Sequence, residues 1–147
     1  MSRVVRIASD HGAFDAPDGW VEMQGLGAVA RPPSGPDDER VRPSVVLTGD
    51  TRADGVTMGT YVLAQQATLE RLLAGWRSID GTTPEAEPGP AVLRHCFQPP
   101  DGQWVLQYQA YWFFGARVAI LTVTTPSAEA NEAWEVFARA VASYTPA

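Results

Sequence analysis

Two histidines, His11 and His95, and a single cysteine, Cys96, are the residues whose types best suit acid–base, nucleophilic or metal chemistry. His95 and Cys96 are neighbours in a strand-like run, so their side chains point to opposite faces and do not form a dyad with each other. Cys96 reads as a small buried hydrophobe, and His95 as a rim or hydrogen-bonded sheet residue rather than a ligand. Ser9-Asp10-His11 holds the three residue types of a hydrolytic triad, but consecutive residues cannot approach one another end-on, so this is a polar turn. Gly25-Leu26-Gly27 lacks the third glycine of a nucleotide fingerprint and opens no helix. Asp37, Asp38 and Glu39 lack the alternating ligand spacing of a calcium loop and read as a solvated acidic loop. Catalytic residues, a metal site and a cofactor site are therefore not expected.

The composition narrows the partners. The 147 residues are 45% hydrophobic and 19% charged, a globular balance for one domain spanning 1–147. Eleven basic residues, all arginine, face seventeen acidic ones, for a net charge of -6. An acidic chain without a basic cluster is a poor match for nucleic-acid phosphates or an anionic membrane surface. One cysteine allows no internal disulfide. No signal-peptide-like apolar run opens the sequence and no stretch approaches a membrane span, so a cytoplasmic protein without membrane insertion is expected.

Hydrophobic periodicity supplies the elements. Residues 3–8 form a first strand, broken by Ser9-Asp10-His11-Gly12, and Phe14 to Trp20 reads as a turn flanked by two aromatics. A strand follows at Trp20–Met23, then a Gly/Pro-rich loop over residues 25–38 and a strand at Val45–Thr48. Met58, Tyr61, Val62, Leu69, Leu72, Leu73 and Trp76 recur at helical spacing, predicting a helix over residues 58–76 with Gly75 and the later Asp80-Gly81 marking its exit and a turn. Ala91–Phe97, Gln103–Phe114 and Arg117–Thr125 make an antiparallel meander, with Pro99-Pro100-Asp101-Gly102 and Gly115 at its turns. A closing helix begins at Pro126-Ser127, with Ser127 as N-cap, Glu129 and Glu132 near the positive end of its dipole, and Ala130, Ala133, Trp134, Phe137, Ala140, Val141 and Tyr144 as its apolar stripe. The class is α+β: an antiparallel, curved, multi-stranded sheet flanked by helices, in the order β-β-β-α-β-β-β-β-α.

The long aromatic strand is the richest segment. Trp104, Leu106, Tyr108, Ala110, Trp112 and Phe114 alternate onto one face, apolar enough to be core. Val105, Gln107, Gln109, Tyr111 and Phe113 share the other. Gln107, Gln109, Tyr111 and Phe113 are candidate partner-binding residues if that face is open, and core residues if a loop or the N-terminal segment covers it.

Short motifs support a resemblance. Phe14-Asp15-Ala16-Pro17-Asp18-Gly19-Trp20 resembles the F-x-x-P-x-G-W opening of the PsbP-like superfamily. Arg42-Pro43-Ser44-Val45-Val46-Leu47 is similar to a strand of its LpqN-type members, with Ser44 where those usually carry Asn. Tyr61-Val62-Leu63-Ala64-Gln65-Gln66, Gln107-Tyr108-Gln109 and Leu121-Thr122-Val123-Thr124-Thr125-Pro126 resemble segments of the Eag chaperones of type VI secretion. The resemblance runs from Phe14 to Tyr144. It implies an antiparallel sheet flanked by helices and a protein-binding role without catalysis: a small GTPase for the Mog type, a photosystem for the PsbP type, hydrophobic effector segments for the Eag type. LpqN-type members are usually lipoproteins, and this sequence shows no lipobox cysteine.

The expectation is thus a non-enzymatic cytoplasmic module that binds a protein or peptide, as an adaptor or chaperone for a secreted partner. The alternative is a binder of small hydrophobic ligands, with Trp76, Trp104, Trp112 and Trp134 lining a pocket between sheet and helices. A homodimer through the sheet surface is compatible with either.

Overall fold

Alternation along one strand organises the whole fold. In the structure, a computed structural model describing residues 3–23, 27–35, 42–100 and 102–147, strand β8 (Val105–Phe114) lies inside a seven-stranded antiparallel sheet. Its even-numbered residues Tyr108, Ala110 and Trp112 join the larger core, and its odd-numbered Tyr111 and Phe113 join a second, smaller one. The sheet therefore has apolar layers on both faces. The Gly25-Leu26 pair, the acidic run Asp37-Asp38-Glu39 and Asp101 lie outside the described residues.

Among the described residues, nine strands and two α-helices follow in order: β1 (Val4–Ser9), β2 (Gly12–Pro17), β3 (Val21–Met23), β4 (Ala28–Ala30), β5 (Ser44–Thr51), α1 (Met58–Leu72), β6 (Arg77–Thr82), β7 (Ala91–Phe97), β8, β9 (Arg117–Pro126) and α2 (Ala130–Ser143). The sheet runs β3-β4-β5-β9-β8-β7-β6, and β1–β2 form a separate hairpin. On one face, α2 and the hairpin cover Val45 and Leu47 of β5 and Leu121 and Val123 of β9, using Ala133, Val136, Phe137, Ile7 and Phe14. On the other face, Met58, Tyr61 and Val62 of α1 cover Ala91, Leu93, Tyr111, Phe113 and Val118. The α+β class and the flanked antiparallel sheet agree with expectation.

Five strands, rather than three, precede α1. Gly12–Pro17 is a strand and not a turn. Phe14 and Ala16 point inward in strict alternation, and the reversal comes one step later at Asp18-Gly19. Ala28–Ala30 pairs with both β3 and β5, although the Gly/Pro density around it reads as loop. The Asp80-Gly81 turn is instead part of edge strand β6. All six of its residues are exposed, so no alternation marks it, and Asp80 is held by a forked ion pair to Arg94 of β7.

The helix ends follow local chemistry. Thr57 caps α1 by accepting the Thr60 N–H at 3.1 Å. The helix stops at Leu72, earlier than residue 76, because Leu73 turns extended. Leu72 is 69% exposed and falls outside the buried stripe predicted for it. Ser127 opens a 3-10 turn over Ser127–Glu129 and makes no side-chain cap. Arg31 instead anchors this end of α2, pairing with Glu129 and, at 3.2 Å, with Glu132.

Candidate functional site

The second face of the sheet carries a neutral polar pattern. On β8, Gln107 and Gln109 sit opposite Thr124 and Thr122 of β9, and Gln107 faces His95 of β7. The Tyr111 hydroxyl donates to Gln109 Oε1 at 2.6 Å, and Gln109 Nε2 donates to Thr122 Oγ1 at 3.2 Å. One step along, His95 Nε2 lies 2.6 Å from Gln107 Oε1, and Gln107 Nε2 donates to Thr124 Oγ1 at 3.2 Å. One side-chain ladder thus crosses two strands and the other three, neither with a charged member. Each satisfies buried polar groups that would otherwise cost about 1–3 kcal/mol apiece.

The ladder fixes the state of His95. The amide oxygen of Gln107 only accepts, so the imidazole proton is assigned to Nε2 and Nδ1 is bare. The residue is 1% exposed, Nδ1 has no partner among the described residues, and the ring tilts against Trp76 at 5.8 Å. Burial lowers its pKa below 6.5, partly opposed by the Gln107 hydrogen bond. In the unfolded chain the imidazole binds a proton more readily than in the fold. Stability is therefore unaffected by this group above the unfolded pKa and falls as pH drops below it. Urea unfolding midpoints at about pH 7.5 and about pH 5.5 should show this loss in the wild type and a smaller one in His95→Gln. Equal losses in the two proteins would remove the role assigned to His95.

The four candidate partner-binding residues divide. Tyr111 and Phe113 are each 1% exposed, so of the two alternatives the covered face holds at these positions. The cover is α1 together with Arg52 and Val56 of the loop that precedes it, and not the N-terminal segment. Tyr61 meets Tyr111 and Phe113 edge-to-face at 6.0 and 5.6 Å between ring centroids, and Arg52 stacks over Phe113 at 5.0 Å. Gln109 is also buried, and Gln107 is half-buried. Burial raises the phenol pKa of both Tyr61 and Tyr111. The Tyr61 hydroxyl donates to Asp50 of β5 and accepts from Gln65.

What remains open is the part of this face beyond α1. Ser44 and Val46 of β5 and Thr122 and Thr124 of β9 are half-buried, and Thr48 is exposed. The Tyr61–Asp50 hydrogen bond turns one flank of α1 toward β5, and Tyr61, Gln65, Thr68 and Leu72 share that flank at helical spacing. Among the described residues, the side chains named on this sheet face and flank are all uncharged, in a chain that is 19% charged. Alternation in Leu121-Thr122-Val123-Thr124 is a signal that reveals Thr122 and Thr124. The pairing of Tyr61 with Asp50 has none.

The other candidates separate in space. Trp76 lies by His95, Trp112 stacks on Tyr144 at 3.9 Å, Trp134 packs edge-on to Tyr108, and Trp104 sits beneath Arg77. The four tryptophans therefore do not line one pocket between sheet and helices. Asp10 and His11 form the hairpin turn after Ser9, the last residue of β1, with the His11 N–H donating to Ser9 Oγ at 3.1 Å. Cys96 is half-buried and pairs with Leu106, whereas His95 pairs with Gln107. Among the described residues no group of three His, Cys, Asp or Glu side chains is placed to hold a metal, and no helix is long and apolar enough to cross a membrane.

Solved structures share this architecture. A Pseudomonas aeruginosa protein, PA94, superposes with a TM-score of 0.68 at 21% identity, covering 99% of this chain and 98% of its own. LpqN of Mycobacterium tuberculosis, involved in cell envelope biogenesis, gives 0.60 at 16% identity, over 98% of this chain and 91% of its own. Cyanobacterial PsbP from Synechocystis gives 0.60 at 12% identity, over 100% and 94%. The fold is PsbP-like. The Ran-binding protein Mog1p of Saccharomyces cerevisiae shares this PsbP-like fold, with a TM-score of 0.63 at 10% identity over 99% of this chain and 96% of its own. No family model matches the sequence, and no curated protein matches it.

Proposed function

We propose that this chain is a non-enzymatic protein-binding module, an adaptor or chaperone for a secreted partner, and that the partner docks on the patch beside α1. The observation that carries this reading is the uncharged strip formed by Val46, Thr48, Thr122, Thr124 and the α1 flank ending at Leu72. Interface cores are depleted of charge and bordered by polar groups, and a β-branched sheet surface beside an exposed leucine has that composition. The ladders beneath it add rigidity, so docking costs little ordering of the surface itself. The Ran-binding protein that shares the fold is a further support at the level of architecture.

Charge inserted into the patch tests the reading. Thr48 and Leu72 are exposed, so Thr48→Arg and Leu72→Arg leave the fold intact. Each should weaken capture of the same identified partner from native cells by about tenfold or more. Ala138→Arg, on the exposed side of α2, should capture it as the wild type does. Recovery of no common partner, or equal capture by all three variants, would overturn the assignment.

A further inference from the structure

A cavity of about 400 Å³ lies beyond the Asp50 end of the patch, where the β1–β2 turn, the end of β5 and the β8–β9 turn converge. Its volume is within the range of small-molecule sites. Phe114, Ala119 and Tyr144 give it apolar walls, and His11, Arg117, Asp10 and Asp50 line it as well.

His11 is an exposed turn residue held from three directions. Its N–H donates to Ser9 Oγ, its carbonyl accepts from the Tyr144 hydroxyl at 2.9 Å, and its ring lies against Gly49. A Cβ at Gly49 would stand 2.3 Å from His11 Nδ1, so the absent side chain is what seats the imidazole in the cavity wall. Tyr144 is itself fixed by stacking on Trp112. The imidazole makes no hydrogen bond, and the Arg117 guanidinium no ion pair, with any described residue. Asp50 is committed, accepting from the Tyr61 hydroxyl and from the Thr51 N–H.

We propose that this cavity binds a small monocarboxylate with a planar apolar body. Arg117 presents a fork matched to a carboxylate, His11 supplies a positioned ring nitrogen, and Phe114 and Ala119 accept the apolar part. The site is distinct from the partner-docking patch and does not rest on it.

Phenylacetate is the probe, titrated into the isotope-labelled full chain and followed by the amide resonances of His11 and Gly49. Saturable shifts are expected, weakened by about tenfold or more in Arg117→Gln and in His11→Ala. Both residues are exposed, and an unchanged urea midpoint confirms that each variant is folded. Three results overturn the proposal: no shift at about 10 mM phenylacetate, undiminished binding in both variants, or binding of phenyl phosphate or phenethylamine as tight as that of phenylacetate.

Discussion

Phe113→Ala should lower folding stability by about 3–5 kcal/mol, read as a fall in the urea midpoint with the slope unchanged. Phe113 is 1% exposed, meets Tyr61 edge-on at 5.6 Å and lies under the Arg52 guanidinium. Truncation would leave a cavity where the first turn of α1 attaches to the sheet. Its first turn supplies Met58, Tyr61 and Val62 to the smaller core, and its later residues are at most half-buried. The Arg52 side chain, only 9% exposed, would lose its stacking partner while keeping its hydrogen bonds to Gly115 and Val56 and its ion pair with Glu87. A loss below about 1 kcal/mol would mean that α1 is not anchored through Phe113. The same variant separates two roles for this residue. As a contact residue, Phe113 would change binding and leave the midpoint alone. As a core residue, it would change the midpoint first.

Gly12→Ala should destabilise by about 2–5 kcal/mol, combining backbone strain with overpacking. Gly12 has φ of 130°, a region that side chains with a Cβ rarely adopt. A Cβ there would stand 2.6 Å from the Thr145 carbonyl oxygen and 2.6 Å from the Tyr144 ring. The Thr145 backbone bonds Ala13 in both directions at 2.9 Å, so the carbonyl cannot yield without releasing the end of the chain from the hairpin. Tyr144 would lose its stacking on Trp112 and its hydrogen bond to His11. Thermal unfolding and near-ultraviolet circular dichroism of Trp112 and Tyr144 would report both changes. A wild-type melting temperature in Gly12→Ala would show that this contact carries no strain.

Some features were legible because they depend on neighbours in sequence. Alternation along β8 assigned every residue from Leu106 to Phe114 to its face, and the same period placed His95 and Cys96 on opposite sides. The antiparallel meander follows from short turns, which leave adjacent strands no other partner. Strands β2 and β4 and edge strand β6 were not legible. Two sit among glycines and prolines, and β6 has no buried face to impose a pattern on its residues.

Neighbouring residues alone dictate the α+β class, the antiparallel sheet and, in β7 and β8, which side chains share a face. Which of those faces is covered depends on tertiary packing. The α1 stripe shows that the helix must pack, but not that its first turn lands on Tyr111 and Phe113 while the threonines of β9 stay half-open. That outcome depends on the hydrogen bond from Tyr61 to Asp50 and on the Arg52 contacts. Contacts of this kind join loops and strands whose separation in sequence carries no periodic signal, because their geometry exists only after the sheet has formed.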